Sequence, residues 1–159
     1  ARIIQNDTGQ QRPRLVCHPL LSKVAEEKAR TMADYGIVRH NLGGSPNQRL
    51  RDAGFRLPEY YGGPMNNQVE AVAGGYRNAE DVWFAFRNSD VHRKHLLGEH
   101  PFYKEQDLMG VGFYKDYATP HIEYWAVYIT EGHSNVYKKF DDIPNKGIDF
   151  VTPANDDDD

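Results

Sequence analysis

Four side chains in this sequence have the chemistry to bind a metal ion or to transfer a proton: His40, Glu70, His92 and His95. Neutral imidazole is a common protein ligand of zinc. A carboxylate in a short apolar run beside imidazoles can have a raised pKa and act as a general base. These residue types predict an open cation site or an acid–base pair, and each residue also has a purely structural interpretation.

A cation site built from these residues would be incomplete as a structural metal centre. Such a centre needs four protein ligands, and the candidates are His40, His92 and, as a third, Glu70. Two histidines and solvent would form an open site for zinc or another divalent cation. His95 follows His92 by three residues on the same helical face and could add a ligand, although a helix-surface histidine is the commoner case. Alternatively, His92 bonds within its own helix and His40 is a satisfied loop histidine. Three further histidines without a partner at ligand spacing are interpreted as surface residues: His100, His121 and His133.

Catalysis would depend on Glu70, because no activated nucleophile is evident. Ser89 precedes His92, but on one short helix both groups would point outward without an orienting acid. Cys17 and His18 are adjacent, and adjacent residues do not face each other on a helix. We therefore favour a non-catalytic Glu70 that accepts hydrogen bonds, and we expect Cys17 to pack in the core.

The longest predicted helix runs from about His18 to Tyr35 and positions the residues that follow it. One face has a continuous stripe of residues at the helical spacing i, i+3, i+4, i+7, i+8, i+11 and i+12. Gly36 stands where a C-terminal cap is expected. The alanines of this face would let another layer approach closely. The predicted stripe consists of Leu21, Val24, Ala25, Lys28, Ala29, Met32 and Ala33.

Shorter elements are predicted from caps and glycines. A Ser or Asn cap opens each of three helices, at 45–54, 78–87 and 89–98. Residues 55–68 hold prolines, glycines and a tyrosine pair, which is typical of an irregular surface loop. Residues 69–73 form a short apolar run before two glycines, which predicts a strand containing Glu70.

Two further strands are predicted at 108–114 and 122–129. Gly110 and Gly112 share one face of the first, where another part of the chain must come close to the backbone. Both faces of the second are mainly apolar, so the sheet should be covered on both sides. Because the strands are few and follow a run of helices, we predict an α+β fold. It would be a three-layer α-β-α sandwich with a small, mainly antiparallel sheet between helices.

The composition fits one domain, since 159 residues are enough to bury roughly 68–70% of the unfolded surface. A net charge of −4 gives no general field for nucleic acid, and no apolar run is long enough for a transmembrane segment. The single cysteine excludes an intrachain disulfide. A start at Ala1 is compatible with a processed or trimmed precursor. We divide the chain into a lead-in (1–14), a domain (15–130) and an extension with an acidic tail (131–159).

Six segments resemble, in order, the CAP superfamily of cysteine-rich secretory proteins, venom antigen 5 and plant pathogenesis-related proteins. They cover about residues 15–130: AEEKARTMADYGIVRH, RLRDAGF, VEAVAGG, WFAFRNSDVHRKHLL, MGVGFY and IEYWAVYI. The order is more specific than any segment alone. The pattern is most similar to the cysteine-poor bacterial branch of SCP-like extracellular proteins, with its "GENIA.G", "W..S..HR..L" and "iGVG" motifs.

The resemblance implies that His40 and His92 are the family's cavity histidines and that Glu70 is the Glu of "ENIA". In several members the two histidines bind a divalent ion such as zinc. The resemblance also implies a secreted or otherwise extracytoplasmic protein. Two departures stand out, because Ala71 replaces the Asn after the family Glu and Phe86 replaces a second cleft Glu. The family's disulfides are absent as well, so a complete His/Glu/Glu/His tetrad is not expected.

We therefore expect a CAP-domain protein whose cleft of His40, Glu70, His92 and His95 binds a small molecule, lipid, glycan or protein partner. A divalent cation would be an optional component, and no established catalysis is expected. Two alternatives remain open: an extracellular hydrolase that is metal-dependent or uses Glu70, and an adhesion or structural module with a vestigial cleft. Loop tyrosines could also rim a binding groove: Tyr60, Tyr61, Tyr76 and Tyr103.

Overall fold

The computed structural model describes residues 1–62 and 67–133, which fold around one four-stranded sheet. The α-helices of these residues are α1 (Arg2–Asn6), α2 (Pro19–Tyr35), α3 (Pro46–Asp52), α4 (Ala79–Arg87), α5 (Asp90–Leu96) and α6 (Pro101–Lys104). The strands are β1 (Val16–Cys17), β2 (Glu70–Gly74), β3 (Leu108–Lys115) and β4 (Glu123–Thr130). A 3-10 turn spans Glu59–Tyr61.

The sheet has the strand order β1-β3-β4-β2. β4 pairs antiparallel with both β3 and β2, whereas β1 runs parallel to β3. Glu70 at the start of β2 lies opposite Tyr128 on β4. The predicted α+β class and mainly antiparallel sheet are confirmed. The sequence did not predict β1, because two residues are too few to show a strand pattern.

Helix α2 covers one face of the sheet. All seven residues of its predicted stripe are buried. The helix begins after His18, whose ring accepts a hydrogen bond from the Leu20 amide, and ends at Gly36 with φ 67°. The start, the end and the buried face therefore agree with the sequence-based prediction.

Two glycines of β3 let α2 approach the sheet. A Cβ atom on Gly110 would lie 2.2 Å from the carbonyl carbon of Leu21, and one on Gly112 would lie 2.2 Å from that of Ala25. Real Cβ atoms do not come that close to backbone. The prediction that another part of the chain comes close to these glycines is confirmed, and that part is the α2 backbone.

Helices α1, α4 and α5 cover the opposite face, which completes three layers. Their apolar side chains form a second core with alternate residues of the strands: Ile4, Val82, Phe86, Leu96, Ala71, Ala73, Met109, Val127 and Ile129. Residues 1–14, interpreted as a lead-in, are packed into this fold because Ile4 and Arg12 are buried.

Two predictions about exposure are wrong. Cys17, expected in the core, is exposed, because it lies on the edge strand β1. Of residues 55–68, expected to be a surface loop, Phe55, Leu57 and Tyr61 belong to the core beside α2, and residues 63–66 lie outside the described residues. The acidic tail and the rest of 134–159 lie outside the described residues. No helix in the described ranges is long and apolar enough to cross a membrane.

Candidate functional site

Glu70 is the centre of a buried polar cluster, with 4% of its surface exposed. Its Oε1 lies 2.8 Å from Nδ1 of His40 and 3.8 Å from Nζ of Lys28, and the hydroxyl of Tyr128 donates to its Oε2. Burial alone would raise the pKa of Glu70, but Lys28, His40 and Tyr128 together hold this pKa below its ordinary value. The hypothesis that Glu70 has the raised pKa of a general base is therefore wrong.

His40 follows α2 and is fully buried. Its carbonyl accepts a hydrogen bond of 2.7 Å from Nζ of Lys28. An ionised carboxylate has no hydrogen to donate, so Nδ1–H of His40 donates to Glu70. In the tautomer with hydrogen on Nδ1, the lone pair of the ring lies on Nε2. That atom is buried and has no hydrogen-bond partner within the described residues.

Asn67 fixes the backbone around Glu70. Its Oδ1 accepts hydrogen bonds from the amides of Val69 at 3.1 Å and Glu70 at 2.9 Å. Its Nδ2 donates to the carbonyl of Glu70 at 3.3 Å. The same Nδ2 lies 3.3 Å from Nδ1 of His40, but two donors do not bond each other. Asn67 therefore sets where the strand begins and where the carboxylate stands.

His92 lies on α5 with 4% of its surface exposed. Its Nδ1 is 2.8 Å from Oγ of Ser89, and the ring of Phe86 packs against the imidazole. Nε2 of His92 is buried without a hydrogen-bond partner in the described part of the chain. Burial first, and a charge on His40 second, lower the pKa of His92 to about 4. The influence of His40 means that the two imidazoles lie within electrostatic range of each other.

The orientation of the Ser89 and His92 side chains differs in part from the sequence-based prediction. The prediction that both would point outward is wrong, because His92 is buried and the two side chains are bonded. The alternative that His92 bonds at its own helix is confirmed. The Ser89 side chain makes no capping bond to the helix amides, because its hydroxyl is paired with the imidazole.

His95 has a different environment from His92, although both are on α5. His95 is buried, so the interpretation of it as a helix-surface histidine is wrong. Its Nε2 lies 3.3 Å from the carbonyl oxygen of Ile129, and its ring packs on Tyr103 at 4.8 Å between centroids. Burial, followed by the charge of Arg12, lowers the pKa of His95 to about 3. Because Nε2 is bonded to a carbonyl, this nitrogen of His95 has no lone pair to offer a metal ion.

The tyrosines proposed as a groove rim do not form one exposed surface. Tyr61 and Tyr103 are buried in the core, whereas Tyr60 and Tyr76 are half-buried. The hydroxyl of Tyr60 donates to Glu131, and the carbonyl of Tyr76 accepts from the Trp125 indole. The prediction that these tyrosines share one exposed rim is therefore wrong.

Three histidines were interpreted as surface residues. His121 is buried, whereas His100 and His133 are half-buried. His100 caps α6, because its Nδ1 accepts a hydrogen bond from the Phe102 amide. The surface interpretation is therefore wrong for His121. His133 donates through its backbone amide to the carbonyl of Arg56 at 3.0 Å, a contact that spacing along the sequence does not reveal.

Three members of the polar cluster were not recognised from the sequence as site residues: Lys28, Asn67 and Tyr128. One signal was available, since Lys28 is the charged residue in an otherwise apolar helical stripe. Tyr128 is one of many tyrosines in the chain, and nothing local connects it to Glu70. Their roles depend on the pairing of β2 with β4 and on the packing of α2.

Two ring nitrogens at the cluster have no partner within the described residues, and each can accept when its ring carries the hydrogen on Nδ1. Within residues 1–62 and 67–133, no group of three or more His, Cys, Asp or Glu side chains is arranged to hold a metal ion. Glu70 is engaged by His40 and Tyr128, so it does not add a third ligand. What remains are Nε2 of His40 and Nε2 of His92.

No family model matches the chain, and no curated protein matches its sequence. Among solved structures, an outer surface protein from Borrelia burgdorferi is similar, with a TM-score of 0.62 and 22% sequence identity. The match covers 82% of this chain and 87% of that one. At this identity the similarity demonstrates a shared fold.

Proposed function

We propose that the protein is an extracytoplasmic member of the CAP superfamily that binds a ligand at His40, Glu70 and His92, together with a divalent cation such as zinc. One observation carries the proposal: Nε2 of His40 and Nε2 of His92 are both buried without a hydrogen-bond partner among the described residues. Buried polar atoms normally have a partner. Two such nitrogens within electrostatic range of each other favour a bound species that would pair with both.

The residues present fit a weak, open cation site. His40 and His92 would hold the ion through Nε2, and Glu70 would orient His40 through Nδ1, as carboxylates do for many metal-binding histidines. A histidine must be neutral to bind a metal, and the low pKa of His92 keeps its ring neutral at pH 7. A bound cation would supply Lewis acidity to an oxygen atom of the ligand.

An extracytoplasmic location is supported by two independent likenesses. The sequence motifs resemble the SCP-like extracellular branch, and the similar solved structure is named an outer surface protein. The ligand class stays open at this level and includes a small molecule, a lipid, a glycan or a protein partner.

Of the other functions considered, one has a specific observation in its favour. An adhesion module with a vestigial cleft fits the burial of the cluster, since His40 is 0% and His92 4% exposed. A hydrolase that uses Glu70 as base is disfavoured, because the lowered pKa and the bonds to both carboxylate oxygens leave it a poor proton acceptor.

A zinc titration of metal-stripped protein by calorimetry tests the proposal. The parent should bind about one ion per chain, and His40→Ala and His92→Ala should each abolish binding. His133→Ala is the matched control, because it removes an imidazole outside the cluster and should bind as the parent does. Failure of the parent to bind zinc would sink the cation proposal, and partner binding that persists in both cluster variants would favour the adhesion module.

A further inference from the structure

Lys28 is a charged residue in the middle of an apolar surface. It belongs to the buried stripe of α2, and its side chain is 0% exposed. Lysine is almost never fully buried unless it is paired, because removing the ammonium from water is costly. A methionine or leucine would continue the stripe at no such cost. The presence of the ammonium therefore calls for a specific partner.

Two contacts connect the ammonium to the cluster. Nζ donates to the carbonyl of His40 at 2.7 Å and lies 3.8 Å from Oε1 of Glu70. The same Oε1 lies 2.8 Å from Nδ1 of His40. Lys28 thus contacts the main chain of His40 directly and its imidazole through the carboxylate.

We infer that Lys28 is a positioning residue, which fixes His40 at its carbonyl and at its imidazole so that Nε2 stays directed at the bound cation. The inference rests on the proposed function, since the positioned atom is one of the two proposed zinc ligands. It adds a fourth residue to the site of His40, Glu70 and His92, one that does not touch the cation. The position of α2 against β3 determines where the ammonium stands, so the helix and the site are coupled.

The physical reason is that a buried carboxylate is stable only with compensating charge and hydrogen bonds. Without the ammonium, Glu70 keeps its bonds from His40 and Tyr128 but loses its nearby positive charge. The His40 carbonyl also loses the shorter of two hydrogen bonds and keeps the one from the Leu42 amide at 3.1 Å. Both changes allow the imidazole to move. Outer partners that orient metal-binding histidines typically contribute 10–100-fold to metal affinity.

The test compares three variants in the full chain. Lys28→Met keeps the length and apolar body of the side chain but removes the ammonium. Lys28→Met combined with Glu70→Gln removes both charges, while the amide oxygen still accepts from His40 and the amide nitrogen donates to Tyr128. Lys23→Met is the matched control, because Lys23 is exposed on the same helix.

Zinc affinity measured by calorimetry should fall about 10–100-fold in Lys28→Met and stay unchanged in Lys23→Met. The double variant should recover most of the loss, because the carboxylate that needed compensation is gone. If Lys28→Met loses stability while its zinc affinity equals that of the parent, Lys28 is purely structural and the inference is overturned.

A second measurement separates this inference from the proposed function. In metal-free protein labelled with ¹⁵N-histidine, Nδ1–H of His40 should give a slowly exchanging resonance because it is buried and bonded to Glu70. The resonance should vanish in Lys28→Met and return in the double variant. If the parent binds no zinc, the proposed function fails and the resonance alone decides about Lys28. An unaltered resonance in Lys28→Met would overturn the inference. Should Lys28→Met not fold, Lys28→Gln takes its place under the same criteria.

Discussion

The ring of Phe86 lies against the imidazole of His92, with centroids 5.2 Å apart and an interplanar angle of 40°. Phe86 is the residue that replaces a second cleft Glu of the family that the sequence resembles. An apolar ring cannot compensate a charge on the imidazole, and burial is the largest cause of the low His92 pKa. The departure from the family pattern therefore favours a neutral His92.

Replacing Phe86 with Ala should affect both stability and protonation. We expect the free energy of unfolding to fall by about 3–5 kcal/mol, because the ring is almost fully buried in the core. Water admitted beside His92 should also raise the pKa of this histidine toward its ordinary value. Urea unfolding and an NMR titration of His92 measure the two effects.

Phe84→Ala is the control for this prediction. Phe84 is on the same helix but 73% exposed, so its truncation should change the stability by less than about 0.5 kcal/mol. The His92 pKa should also stay unchanged in this control. An unaltered His92 pKa in Phe86→Ala would contradict the account of its burial.

Stability should fall as the pH is lowered from 7 to 4. The native pKa is about 4 for His92 and about 3 for His95, against an ordinary value of 6.5. Near pH 5 the unfolded chain binds protons on both histidines and the native chain on neither, so the free energy of unfolding rises with pH. For His92 alone the loss by pH 4 is on the order of 3 kcal/mol. The lowered pKa of Glu70 acts in the same direction at still lower pH.

Urea unfolding at a series of pH values between 4 and 7 tests this dependence. His95→Phe retains a ring that can pack on Tyr103 but removes one titrating group, so the slope of stability against pH should be shallower than in the parent. Equal slopes in the two proteins would mean that His95 does not contribute. A stability that is independent of pH in the parent would contradict the low pKa of both histidines.

The close contact of α2 with β3 gives a third prediction. Gly112→Ala places a Cβ atom 2.2 Å from the backbone of Ala25, and neither element can move without disturbing the core. The free energy of unfolding should fall by about 3 kcal/mol or more, at or above the usual range for overpacking. In Gly132→Ala the nearest atom would be Cδ1 of Leu108 at 3.9 Å, an ordinary contact, so little change is expected. Thermal unfolding of both variants tests this prediction. Equal melting temperatures would contradict the close approach of α2 to β3.

Arg12 connects the first residues of the chain to α5. Its guanidinium donates to the carbonyls of Leu96 at 2.9 Å, His95 at 2.6 Å and Tyr103 at 3.0 Å. Arg12→Met removes three charge-assisted hydrogen bonds, which should cost about 3 kcal/mol or more. Each carbonyl keeps a second donor, from the Gln10 side chain, the Gly98 amide or the Gln106 amide. Arg14→Met, at an exposed position, should cost less than about 0.5 kcal/mol. Denaturant midpoints of the two variants test whether residues 1–14 are part of the folding unit, and similar midpoints would argue against it.

Local patterns were sufficient to predict the main helix and the need for a close approach at two glycines. The stripe of α2, its C-terminal Gly36 and the shared strand face of Gly110 and Gly112 depend on residues a few positions apart, whereas the structure identified α2 as the element that approaches. Helical spacing and the absence of a Cβ atom act over that range, so the sequence alone determines them. The positions of His40, Glu70 and His92 as a candidate cluster also came from the sequence, with the help of the family resemblance.

Only the tertiary structure decided how the cluster is charged and which residues complete it. Lys28 and Tyr128 meet Glu70 across 42 and 58 positions of the chain, through the packing of α2 and the register of β2 with β4. The burial of His95 and the exposure of Cys17 likewise depend on layers formed by distant segments. Residue spacing carries no information about such contacts, because they exist only after the sheet and helices have assembled. The sequence therefore determined which groups could act. The assembled layers decided that Glu70 is a compensated carboxylate and that, among the residues the structure describes, Nε2 of His40 and of His92 are buried without a hydrogen-bond partner.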